Sequence, residues 1–64
     1  MRVSFDNVTD ARAVAEKHTA AMAGVVHVYE VENDKEEKTY VAAAAVEYVH
    51  GGTLLASYEN GQEI

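Results

Sequence analysis

With 64 residues and no cysteine, this chain has no covalent means of closing its fold. A chain of this length buries only about 60% of its unfolded surface. Order must come from one well-packed core, or from association with a copy of itself or a partner. The missing thiols also exclude a zinc site of the usual thiolate kind and suit a reducing compartment. A single domain over residues 1–64 is expected.

The segment from Asn7 to Gly24 sets what that core is built from. Asn7 is a good N-cap, and Asp10 follows three residues later in a capping-box-like arrangement near the positive helix end. Ala11, Val14, Ala15, His18 and Met22 recur at helical spacing, with Val8 one turn earlier, while Arg12, Glu16, Lys17 and Thr19 face water. Arg12 and Glu16 are spaced for an i,i+4 ion pair. Gly24 is placed to end the helix in the left-handed conformation. The spacing predicts a helix from about Val8 to Ala23.

The rest reads as strand. Arg2 to Phe5 alternates, with Val3 and Phe5 on one face. Val25 to Glu32 is rich in β-branched and aromatic residues and begins directly after the helix stop. Asn33 to Glu37 is polar, carries turn formers and connects two antiparallel strands. Lys38 to His50 supports two readings. Thr39 as a cap, four consecutive alanines and Gly51 as a stop suit a helix. Tyr40, Val41, Val46, Tyr48 and Val49, followed by Gly51-Gly52, suit a strand entering a hairpin. The strand reading is adopted. It sets His50 opposite Thr53 and Tyr48 opposite Leu55, and it lays the small alanines under the helix. Thr53 to Tyr58 is a last strand, Asn60-Gly61 a turn, and Gln62 to Ile64 a stub strand or a frayed end. The expected fold is α+β: a two-layer β-α-β-β-β domain with one helix packed on a mainly antiparallel sheet.

Charge narrows the function. Eleven carboxylates against five Lys and Arg give −6 with neutral histidines. Such a field repels phosphates and anionic lipid, so neither direct nucleic-acid binding nor membrane binding is expected. No apolar run reaches the roughly 18 residues of a membrane span, and the first residues lack a signal peptide's apolar stretch. A cytoplasmic setting is expected.

Catalytic templates fit poorly. Gly51-Gly52 and Gly61 lack the spacing and the lysine of a phosphate loop. Ser4 and Ser57 have no nucleophile-elbow surroundings. His18, His27 and His50 lie on three elements without the close spacing of metal ligands. Neither enzyme activity, metal nor cofactor is expected.

Two groups suit partner binding instead. Glu30, Glu32, Asp34, Glu36 and Glu37 fall within eight positions. On a strand, Glu30 and Glu32 share a face about 7 Å apart, a repeat like that of backbone phosphates. The run suits a basic groove built for nucleic acid, although it also reads as a solvated hairpin tip, and Lys35 and Lys38 neutralise part of it. The tyrosines Tyr29, Tyr40, Tyr48 and Tyr58 supply rigid, amphipathic contact area, or belong in part to the core. Tyr29 adjoins the acidic run and joins it as a candidate.

The order of short strand, Asn-capped alanine-rich helix (Asn7-Val8-Thr9-Asp10-Ala11 to Gly24), Val25-Val26-His27-Val28-Tyr29 and closing Ala56-Ser57-Tyr58-Glu59-Asn60-Gly61 resembles small phage-encoded anti-CRISPR proteins. The resemblance implies an inhibitor that binds the basic, nucleic-acid-handling surface of a CRISPR effector in the host cell, in some members by imitating DNA charge. The alternative expectation is a structural or assembly protein, self-associating through an exposed strand edge and its tyrosines.

Overall fold

The structure is a computed structural model and describes residues 1–64. Asn7 starts helix α1 (Val8–Ala21): its side-chain oxygen accepts the Asp10 backbone N–H at 2.9 Å, and its amide donates to the Asp10 carboxylate at 3.0 Å. The forward bond of a capping box is thus present, while the Asp10 carboxylate returns to the Asn7 side-chain amide instead of its backbone N–H. The helix stops two residues before the predicted end. Met22 takes extended backbone (φ −125°) to carry the chain into the sheet, so Gly24, at φ 119°, lies beyond the cap instead of forming it.

The buried stripe of α1 is also displaced from the predicted one. Ala11, Ala15 and Thr19 are buried in one i,i+4 column, Val8, Val14 and His18 are half-buried, and Met22 is exposed. Thr19, expected to face water, donates its hydroxyl to the Ala15 carbonyl at 2.9 Å and accepts the Gly61 N–H at 3.1 Å. Both hydrogen-bonding roles are filled, which is what permits its burial. Arg12 does not pair with Glu16. It reaches across to the Tyr58 hydroxyl at 2.9 Å and to the Glu63 carboxylate.

Strands β1 (Arg2–Phe5), β2 (Val25–Glu32), β3 (Lys38–Ala44), β4 (Thr53–Glu59) and β5 (Gln62–Glu63) make one sheet in the order β1-β3-β2-β4-β5, every neighbouring pair antiparallel. This is the expected β-α-β-β-β arrangement, with the terminal stub as its fifth strand. Val28 stands between Ala42 and Ala56, and Val26 between Ala44 and Tyr58. Val26, Val28, Ala42, Ala56 and Tyr58 form the main core with Ala11 and Ala15 of α1, and Met1, Phe5, Val8 and Tyr40 pack around it. Alanines on both sides of the seam bring helix and sheet close together. Val28 is the largest side chain fully enclosed.

The second half departs from the predicted hairpin. β3 ends at Ala44, Ala45 enters a turn, and β4 pairs with β2 instead of β3. Neither the His50–Thr53 nor the Tyr48–Leu55 pair forms. Because β3 and β4 both run antiparallel to β2, they are parallel to each other, and a two-residue turn cannot join parallel strands. Residues 45–52 therefore cross β2 as a strap on the face away from α1. On the opposite face, α1 carries the chain over β3 from β1 to the parallel β2, so the two crossovers share one hand.

The strap makes a second, smaller core. Val49 packs on Val41 and Ala43, with Tyr29 and Val31 alongside. Its approach is close enough that a Cβ on Gly52 would meet Val49 Cγ1 at 3.0 Å and Tyr29 Cβ at 3.2 Å. The strand reading of the alanine run holds for Ala42 to Ala44, but the reason is two-sided. Ala42 is fully buried beneath α1 and Ala43 fully buried on the strap's side.

Candidate functional site

The acidic candidates lie on the β2–β3 hairpin, whose turn is organised by one side chain. The Asn33 side-chain oxygen accepts the backbone N–H groups of Lys35 (2.8 Å) and Glu37 (3.0 Å), and the Asn33 N–H donates to the Glu37 carbonyl at 2.9 Å. Glu36 takes the left-handed conformation (φ 61°), held by its N–H bond to the Asn33 carbonyl at 3.0 Å. The chain around Asp34, Lys35 and Glu36 is thereby presented outward in one conformation. Replacing Asn33 with alanine is expected to cost about 1 kcal/mol, because the freed amides are exposed and water takes over part of the bonding. Hydrogen exchange at Lys35 and Glu37 is the measurement. Unchanged protection would show that Asn33 does not hold the turn.

Three of the carboxylates differ from the other two. Glu30 is paired with Lys38 at 3.5 Å, and Glu37 accepts the Asn33 side-chain amide at 3.1 Å. Such exposed pairs contribute little energy but they commit the charge locally. Glu32, Asp34 and Glu36 are exposed and have no ion-pair partner. Glu30 and Glu32 do share a face of β2, as the alternation requires. Tyr29 does not share it. Its side chain lies on the other face, half-buried beside Val49 and Gly52 and set edge-on to His27 at 5.9 Å. The fold therefore separates Tyr29 from the carboxylates that follow it.

Two acidic residues overlooked in the sequence join the cluster. Phe5, Tyr40, Glu30 and Thr53 fall on one row across the sheet. Asp6 immediately follows Phe5, and Asp10 lies in the first turn of α1, so both share the hairpin's end of the molecule. Seven of the eleven carboxylates (Asp6, Asp10, Glu30, Glu32, Asp34, Glu36 and Glu37) and two of the five Lys and Arg (Lys35 and Lys38) are gathered there. Five of the six net negative charges thus sit at one pole. Asp6 and Asp10 are 20 or more residues before Glu30, and only the β1–β3–β2 register brings them together.

The Tyr58 hydroxyl, and after it Glu63, holds the Arg12 guanidinium above its usual range. The three histidines stay apart, and no three His, Asp or Glu side chains group as metal ligands would. His27 Nδ1 and Ser57 Oγ lie 2.7 Å apart across the β2–β4 pair. A nucleophile and base at that distance need an orienting third group and a place for substrate. No carboxylate is bonded to His27, and the surface has no cavity. Of the tyrosines, Tyr58 is core, Tyr29 and Tyr40 are half-buried and Tyr48 is exposed on the strap. No helix is long and apolar enough to cross a membrane. Compared with known protein families, characterised proteins and solved structures, the chain matches none.

Proposed function

We propose that this chain is a small stoichiometric inhibitor that occupies a basic, nucleic-acid-handling surface of another protein with its acidic pole. The observation that carries this reading is the concentration of five of the six net charges at one end, around a turn that Asn33 holds in one conformation and that itself carries Asp34, Glu36 and Glu37. A preorganised anionic tip loses little entropy on docking and steers its approach to a positive groove. The resemblance in sequence pattern to anti-CRISPR proteins makes a CRISPR effector the first partner to try.

The test begins with capture from a cell lysate at low and high salt, followed by titration against the protein that elutes and against a panel of CRISPR effectors. Binding should weaken as salt rises from about 50 to 500 mM, because screening shortens the reach of exposed charge. A triple variant, Glu32→Lys, Asp34→Lys and Glu36→Lys, is expected to lose at least about 100-fold in affinity, since each change sets like charge against like. None of the three positions is buried, so the fold should survive. A triple variant that binds as tightly as the parent would sink the charge-mimic reading.

A further inference from the structure

The strap carries a surface for which the acidic pole has no use. It turns Glu47 inward onto the Met1 ammonium at 2.6 Å and Val49 into the second core. Left outside are Val46, 95% exposed, Tyr48, 78% exposed, and His50, whose ring stands edge-on to Tyr48 at 6.0 Å. Arg2 donates to the Tyr48 carbonyl at 3.1 Å and helps fix the strap in place. Leu54, half exposed, continues the same sheet face beyond Tyr29. In a chain of net charge −6, the strap has a single carboxylate, Glu47, and it is paired with the Met1 ammonium.

We infer that the strap is a two-fold self-association surface and that its occupant is the strap of a second copy. Charge and burial favour a copy over another partner. A basic partner would be drawn to the acidic pole, not to a face that the Arg2 guanidinium borders. In an antiparallel two-fold pairing the acidic poles lie at opposite ends of the dimer, where repulsion between them is least. Val28 is the largest side chain that the monomer encloses completely, so burial against a copy supplements a core built mainly of alanine and valine. A specific interface needs on the order of 500 Å² from each chain, and one tyrosine near the axis supplies about 150 Å² or more of that. The edges of the sheet suit the role less well. β1 has four residues, β5 covers one end of β4, and a bulge between its pairings at Leu54 and Ala56 breaks the regular spacing of β4.

Sedimentation velocity of the intact chain tests this, from about 5 to 500 μM protein at about 50 and 500 mM salt. The expected result is a monomer–dimer equilibrium whose Kd is unchanged or tighter at high salt, the reverse of the salt dependence expected for a basic partner. Tyr48→Asp should raise Kd at least about 30-fold by placing like charges at the axis. Val46→Asp repeats the test at a side chain that contributes almost nothing to the monomer's packing. The triple lysine variant of the acidic pole should still dimerise, so loss of the inhibitor reading and loss of this one are told apart. A parent chain that stays monomeric at the highest concentration would overturn the inference. So would Tyr48→Asp and Val46→Asp chains that dimerise as tightly as the parent.

Discussion

Replacing Tyr58 with alanine is expected to remove a large part of the stability of this fold. The ring is 4% exposed and packs in the main core, and its hydroxyl accepts the Arg12 Nε–H across from the helix. Truncating a buried aromatic side chain costs about 3 to 5 kcal/mol. A domain of this length is stable by roughly 3 to 10 kcal/mol in all, so the loss is at least about a third of that total and, at the lower end of the range, all of it. Tyr58→Phe separates the two contributions. It keeps the packing and loses only a bond to an exposed guanidinium, for a cost of about 0.5 to 1.5 kcal/mol. Denaturant unfolding followed by far-ultraviolet circular dichroism measures both. An alanine variant within about 1 kcal/mol of the parent would show that the core is not arranged around this ring.

Gly61→Ala is expected to have the next largest effect, because three costs coincide in a single methyl group. Asn60 (φ 56°) and Gly61 (φ 77°) form the turn between β4 and β5 with both residues left-handed, as a tight hairpin with the twist of its strands requires. Alanine at that φ is strained. Its Cβ would lie 2.9 Å from Ala20 Cβ and 3.4 Å from Ala20 Cα, pushing against α1 itself and not a flexible side chain. The displacement would also draw the Gly61 N–H away from Thr19 Oγ, leaving a buried hydroxyl short of its donor. The sum is about 2 to 4 kcal/mol. Thr19→Val removes the same hydrogen bond from the other side, at about 1 to 3 kcal/mol. The two changes should be less than additive in a double-mutant cycle, since the bond can be lost only once. Full additivity would show that the turn and the helix are not coupled through Thr19.

The legible parts of this protein are those whose signals lie within a few residues of one another. Asn7 capping, the alternation of Val26 and Val28 and the Asn60-Gly61 turn each act over one turn or one strand, and each can be read from the sequence. Thr19 could not be read in this way. Its partner is a backbone N–H 42 residues away, and a threonine at a helical position otherwise suggests solvent. The candidate site divides on the same line. The acidic run from Glu30 to Glu37 is visible in the sequence, whereas Asp6 and Asp10 join it only through the pairing of β1 with β3. Tyr29 was grouped with the run by adjacency, but alternation along a strand sends neighbours to opposite faces.

The sequence by itself determined the helix that follows Asn7, an acidic turn and a strong net negative charge. Propensity, capping and turn geometry are local, and whole-chain charge does not depend on folding. Only the tertiary structure decided which strands become neighbours. A Gly-Gly hairpin from β3 and a strap across β2 use the same residues with similar local preferences. Cover on both faces favours the strap. β2 carries Val26 and Val28 toward the helix and Tyr29 and Val31 on the reverse, so it belongs at the centre, while Ala43 and Val41 need Val49 above them. That choice, made by burial over long sequence separations, also gathers the charge at one pole and leaves Tyr48 exposed on the outer side of the strap.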